Sequence, residues 1–199
     1  QTDGTFEISK GKLECLSLTS IDLDGVNDQV YTTSFDFRTT APSYTMAFWM
    51  NPDDASGGVE RLIYQDGKIS IYKSDDDLVF SPNNGTAVTA STVFTAGQWF
   101  HVSCSFNDSD NAMKIYIDGV EKATGTDGTT NTTGAQYFYF GQKHDGSGNY
   151  DGHLRDIRFY DYTLSADQVS SLYSGTYNVT PLHWYKLDEG TGAAGTSVI

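Results

Sequence analysis

The sequence predicts an all-β chain of antiparallel strands with one short helix near the C-terminus. Glycine is abundant (20 of 199 residues) and proline scarce (4), with Thr, Ser, Asn and Asp plentiful, the composition of strands joined by tight turns. Apolar residues alternate, as in Phe100, Val102, Cys104 and Phe106, which sets them on one face of a strand. One stretch alone reads as helix. Ser165 is its N-cap, Gln168 closes a capping box, Val169, Leu172 and Tyr173 share an apolar face, and Gly175 stops it.

The length suits one large domain over residues 1–199, with a core that needs no disulfide. Net charge is −14 and comes mostly from Asp, since Glu appears only as Glu7, Glu14, Glu60, Glu121 and Glu189. Asp favours loops, so the charge falls at loop tips, which argues against nucleic acid and suits a solvated surface or a hard cation. Cys104 lies in an apolar strand and reads as a small buried hydrophobe; its pairing with Cys15 is left open. No clustered Cys or His suggests zinc. No apolar run is long enough to insert in a membrane. Beginning at Gln1, the chain reads as a processed chain or a piece of a larger protein.

In order, residues 1–12 read as a loose lead-in or short strand, and strand-like runs follow around the Asp24-Gly25 turn. Tyr44 to Met50 is a nearly continuous apolar strand, buried on both faces and ended by Asn51-Pro52. Leu62-Ile63-Tyr64 and Ile69-Ser70-Ile71-Tyr72 flank Asp66-Gly67 as a hairpin, and Asp75-Asp76-Asp77 is a loop tip. Further strands are Leu78-Val79-Phe80, the run from Thr86 to Phe94, Gln98 to Phe106, Met113 to Ile117 before the Asp118-Gly119 turn, and Tyr137 to Phe140. Residues 125–135 read as a surface loop. The loop Asp145 to Gly152 has an oxygen ligand at every second residue but not the glycine and distal Glu of an EF-hand. A strand then carries Leu154, Ile157, Phe159 and Tyr160.

Four of these segments together, in order and spacing, resemble laminin-G-like jelly rolls of the concanavalin A-like lectin and glucanase superfamily. They are Ile21 to Tyr31 with its Asp-Gly, Tyr44 to Pro52 with its apolar-Trp-apolar strand, Trp99-Phe100-His101-Val102, and the strand Gly152 to Tyr160 followed by Thr163-Leu164-Ser165 and the helix. Tyr116-Ile117-Asp118-Gly119 also fits. Arg155 departs, standing where the family often has an acidic residue. The resemblance covers about residues 13–187 and implies a two-sheet antiparallel jelly-roll sandwich. Trp184-Tyr185-Lys186-Leu187-Asp188-Glu189-Gly190-Thr191-Gly192 matches a segment that normally opens such domains but here closes the chain. Residues 180–199 therefore either complete this sheet or begin a following repeat.

Glucanases of the superfamily need two carboxylates flanking the scissile bond, usually on a strand with alternating acids. No such stretch exists here, so the chain reads as non-catalytic. His101 reads as a structural histidine, because no nucleophile motif accompanies it. The resemblance implies a structural calcium joining the early Asp-Gly loop to the late Asp-bearing strand, through Asp24, Asp28 and Asp156; Arg155 or Arg158 is an alternative partner for Asp156. Sugars want carboxylates and amides for their hydroxyls and an aromatic face for their C–H side. Tyr72 with Asp75 and Asp76, and His144 with Asn149 and Tyr150, offer these on loop tips. The expectation is a carbohydrate-binding recognition module of an extracellular, cell-surface or virion protein. Its partners would be a glycan or cell-surface ligand and other domains of a tandem array. The alternative is a structural or protein-interaction module of an adhesin or fibre that binds no sugar. The Asn-x-Ser/Thr sites at Asn84, Asn107, Asn131 and Asn178 would matter only in a eukaryotic secretory pathway.

Overall fold

A computed structural model of the chain describes residues 8–9, 12–13, 20–28, 30–129, 134–176 and 179–187. Cys15, Asn131, Asn178, Asp188, Glu189, most of the lead-in and the end of the closing segment lie outside the described residues.

In chain order the elements begin with β1 (Ile8–Ser9), β2 (Lys12–Leu13), β3 (Ile21–Asp24), β4 (Val30–Tyr31), α1 (Phe37–Thr40) and β5 (Tyr44–Pro52). Then come β6 (Val59–Gln65), β7 (Ile69–Ser74), β8 (Asp77–Ser81), β9 (Val88–Ala90) and β10 (Phe100–Asn107). Last are β11 (Ala112–Ile117), β12 (Val120–Thr126), β13 (Phe138–Phe140), β14 (Asp151–Tyr160), α2 (Ala166–Tyr173) and β15 (His183–Tyr185).

Two antiparallel sheets form a jelly-roll sandwich. One has seven strands in the order β12-β11-β10-β5-β14-β15, with β3 also on β14; the other has six, β4-β13-β6-β7-β8-β9. Among the described residues, β1 and β2 form a two-stranded pair of their own. The turns follow their residues. Asp118 and Gly119 both take positive φ (52° and 77°), as the two-residue turn joining β11 to β12 requires. β5 is central because its alternation is suppressed: Tyr44 to Phe48 are all buried, with the sandwich core on one side and α2 on the other.

The main core lies between the sheets. Phe159 is its hub, packing edge-on against Phe138 (4.8 Å) and Phe37 (5.5 Å). Cys104 is buried there as an unpaired thiol, and burial pushes its pKa up. A smaller cluster of Ala47, Tyr116, Tyr160, Leu164, Val169 and Leu172 seats α2 on the outer face of the seven-stranded sheet. The expected capping box is present: Gln168 N donates to Ser165 Oγ, and Ser165 N donates to Gln168 Oε1. Gly175, at φ 76°, ends the helix.

Two local expectations need amendment. A second, one-turn helix, α1, is present. Asp36 caps it by accepting from Thr39 N, and Phe37 anchors it in the core. The stretch 125–135 is only partly loop, because β12 continues to Thr126 and Asp127 is fully buried. Asp127 earns its burial by accepting from Thr86 N, Thr129 N and Asn83 Nδ2, while Arg38 donates to Asn83 Oδ1.

Candidate functional site

The outer face of the six-stranded sheet carries a row of tyrosines set by strand alternation. On β13, Phe138 and Phe140 point into the core, so Tyr139 points out. On β6 a register shift between Arg61 and Ile63 lets Leu62 and Ile63 both enter the core and returns Tyr64 to the surface. On β7, Ile69 and Ile71 point in and Ser70 and Tyr72 out; on β4, Tyr31 points out.

Pairing then aligns these residues across strands that are not consecutive in sequence. Tyr31 faces Tyr139, Tyr139 faces Tyr64, Tyr64 faces Ser70 and Ser70 faces Ser81. At about 4.8 Å per strand, this row is about 19 Å long. A second row runs Arg61, Tyr72, Val79. Tyr137 joins the end of the first row, 5.9 Å edge-on from Tyr31. Tyr31 and Tyr137 are exposed, while Tyr64, Tyr72 and Tyr139 are half-buried.

The loop after β13 adds His144, stacked on Tyr64 (6.0 Å, 12° between planes), and Lys143, whose Nζ lies 5.9 Å from the same ring. The Tyr64 hydroxyl donates to Asp66 Oδ1, which also lies 3.5 Å from His144 Nδ1. Burial first, and the Asp66 carboxylate second, push the Tyr64 pKa up to about 12. The face thus offers flat aromatic surfaces, hydroxyl groups and the cationic side chains of Arg61 and Lys143.

A second region lies at the sheet rim. Asp151 opens β14 directly opposite Asp24 of β3. Asp24 Oδ1 accepts from Val26 N and Asn27 N, and Asp28 Oδ2 accepts from Asp24 N, so these two carboxylates tie the turn to itself. Gly25, at φ 70°, lets that turn lie against Asp151, whose Cβ would be 3.0 Å from a Cβ added there. Asn149 Nδ2 donates to Val26 O, while its Oδ1 is buried without a partner among the described residues. Burial, then the carboxylates of Asp53, Asp54, Asp24 and Asp22, hold the Asp151 pKa up. Beneath the rim, Lys73 is fully buried and donates to Glu60 Oε1 (2.6 Å), Asp54 Oδ1 (3.2 Å) and Ser56 O (2.6 Å). Asp151 N donates to the other Glu60 oxygen.

The residues expected to bind sugar are scattered. Tyr72 and His144 stand on the tyrosine face. Asp75 and Asp76 form the β7–β8 turn, where Asp75 Oδ1 accepts from Gly58 N. Asn149 belongs to the rim. Tyr150 is buried in the core and presents no face to a ligand. Among the expected metal residues, Asp24 and Asp28 are together, but Asp156 is five residues along β14 from the position facing Asp24, about 16 Å away. Asp156, at φ 57°, accepts instead from Arg158 Nε, and Trp184 Nε1 also donates to it. Its environment is the Arg158 partnership foreseen as the alternative. Among the described residues, no group of three or more His, Cys, Asp or Glu is placed to hold a metal by side chains alone. His101 is buried between Trp49 and Tyr173, and burial lowers its pKa to about 3.

Sequence reasoning missed Tyr31, Tyr64, Tyr139, Arg61 and Asp151. The signal for the tyrosines was present in Phe138-Tyr139-Phe140, whose alternation sends Tyr139 outward.

Comparison with known proteins bears on the fold. The rat protein "Sushi, von Willebrand factor type A, EGF and pentraxin domain-containing protein 1" is 26% identical over 148 residues, 68% of this chain. The match covers about 4% of that protein's length. The heptameric SAP-like pentraxin of Limulus polyphemus superposes with a TM-score of 0.62 at 18% identity, covering 77% of this chain and 81% of the pentraxin chain. The CBM40 of a Ruminococcus gnavus IT-sialidase, solved with α2,3-sialyllactose, gives 0.61 at 12% identity, covering 78% and 96%. At such identities the structures share a fold. The family profile matches residues 24–170, most of the chain, and with the jelly-roll topology it establishes that this protein belongs to the Laminin_G_3 family of the concanavalin A-like lectin/glucanases superfamily.

Proposed function

We propose that this chain is a non-catalytic, lectin-like recognition module that binds glycans on the outer face of its six-stranded sheet. The observation that carries the reading is the cross-strand row Tyr31, Tyr139, Tyr64, with Tyr72 and His144 beside it. Aromatic faces pack on the C–H faces of sugar rings, and neighbouring hydroxyls and amides meet their hydroxyls. Continued through Ser70 and Ser81, the row is about 19 Å long and suits an oligosaccharide of several units. The two described glutamates support a non-catalytic reading, because Glu60 is tied to Lys73 and Glu121 to Lys114. The domain, with β15 as a strand of its seven-stranded sheet, works on an extracellular, cell or virion surface.

Calcium fits the rim rather than the tyrosine face. Asp24 and Asp151, with the unpartnered Asn149 Oδ1, would hold it, and Asp28 stands beside them; Asp156, committed to Arg158 and Trp184, would not. A bound divalent cation would neutralise the carboxylates crowded there and pin the β3 turn to β14.

The test is a glycan array probed in calcium and in EDTA, with Tyr139→Ala and Tyr64→Ala alongside. Binding that both substitutions weaken at unchanged melting temperature is expected. A blank array in both conditions would move the assignment to a protein-interaction or spacer module.

A further inference from the structure

Arg61 is set into the tyrosine face in an unusual state for a guanidinium. Its carbon stem is pinned by the loop before β14: Arg61 N donates to Gly148 O, and a Cβ added at Gly148 would come within 3.0 Å of Arg61 Cγ. The guanidinium carbon lies 4.3 Å from the centroid of the Tyr72 ring and 5.9 Å from that of Tyr64. Nη1 donates to the Ser70 hydroxyl, and Nε is buried without a partner among the described residues.

Among the described residues no carboxylate comes within ion-pair distance of Arg61. This is notable in a chain of net charge −14, with 26 acidic residues against 12 Lys and Arg. The nearby acids are hydrogen-bonded to other groups, and only the more distant charge of Asp145 acts on the guanidinium. Asp66 is held by Tyr64 and His144, and Asp145 accepts from Ser147 N and Oγ. Burial lowers the Arg61 pKa, which reflects a cation kept partly from water. A half-buried, oriented guanidinium between aromatic rings, facing a hydroxyl and ion-paired with no carboxylate among the described residues, is arranged to receive an anion from outside. Lys143, over the Tyr64 ring, adds a second positive charge.

We propose, building on the glycan-binding reading above, that the tyrosine face selects anionic glycans, with Arg61 as the residue that takes the carboxylate or sulfate of the sugar. The tyrosine row supplies the sugar-ring contacts, and Arg61 supplies the choice of charge.

The experiment uses three arms of matched glycans: neutral oligosaccharides, the same backbones ending in a carboxylated sugar, and the same backbones bearing a sulfate ester. Affinities are measured by calorimetry for the unmodified chain, Arg61→Gln and Arg61→Lys. The unmodified chain is expected to prefer one or both anionic arms by roughly ten- to a hundredfold, as a charge-assisted hydrogen-bond pair allows. That preference should weaken with added salt, vanish in Arg61→Gln and largely survive in Arg61→Lys. Should Arg61→Gln fail to fold, Arg61→Lys and the salt titration of the unmodified chain still decide the matter. Equal affinity for neutral and anionic arms would overturn the selectivity and leave the lectin reading standing. So would an equal loss on every arm in Arg61→Gln. Binding to no arm would overturn both.

Discussion

Replacing Lys73 by Met should destabilise the chain in a pH-dependent way. The ammonium is fully buried and holds three acceptors: Glu60 Oε1, Asp54 Oδ1 and Ser56 O. Methionine fills a similar volume but leaves the buried Glu60 without its counter-charge, a change that costs about 3–5 kcal/mol. For a domain of this size that is a drop in melting temperature of roughly 6–20 °C. The sign with pH follows from Glu60. Burial already raises its pKa in the folded chain, with Lys73 working against it. Without Lys73 the folded pKa rises further, so the folded state holds a proton that the unfolded state has released. The penalty is then small below the ordinary glutamate range and grows as pH rises through it. Urea unfolding of Lys73→Met at pH 4 and pH 8, with an unchanged m-value, is the assay. The double change Glu60→Gln, Lys73→Met should recover much of the loss, since no buried charge remains. A loss below about 1 kcal/mol, an equal loss at both pH values, or no recovery in the double variant would refute this account of the rim.

Other outcomes follow from the same geometry. Calcium should raise the melting temperature of the unmodified chain, and Asp24→Asn or Asp151→Asn should abolish that shift; Asp156→Ala should lower stability by the same amount with and without calcium. His101, whose pKa burial lowers to about 3, stays neutral in the folded chain, so stability should fall as pH drops from about 6.5 towards 3. His101→Phe should flatten that part of the melting-temperature profile. Ser165→Ala should cost about 1 kcal/mol in thermal unfolding by removing the acceptor for Gln168 N.

The fold was legible because its signals are local. Alternation in Phe100 to Phe106, the Asp-Gly turns and the Ser165 capping box each depend on residues within a few positions of one another. The tyrosine face was not legible, because it depends on which strands become neighbours. Tyr31, Tyr64 and Tyr139 meet only through the order β4-β13-β6, which no window of sequence contains. Tyr72 and His144 were legible one by one, as aromatics of a strand and a loop, but not as neighbours on that face. Tyr150 looked like a loop tip because of the glycines and polar residues before it, yet the chain turns inward there and buries the ring. Asp156 matched a family position, but Arg158, two residues on, competes for its carboxylate in the folded chain. Asp151 was passed over because its partner, Asp24, is far away in sequence.

The sheet edge beside β14 has a consequence for how this chain could be rewired. Opposite Phe159, Arg158 and Ile157 run His183, Trp184 and Tyr185; opposite Leu154 to Asp151 run Ile21 to Asp24. Both strands are antiparallel to β14, so β15 points head-on towards the start of β3, separated only by the irregularity at Arg155–Asp156. The edge is one line of backbone drawn in two strokes by distant parts of the chain. A chain spliced from Leu187 into Ser20 through a short linker, and reopened at the exposed Asp110–Asn111 turn, would keep every strand pair of both large sheets. Such a splice should fold to the same circular dichroism spectrum, with the interrupted edge made continuous.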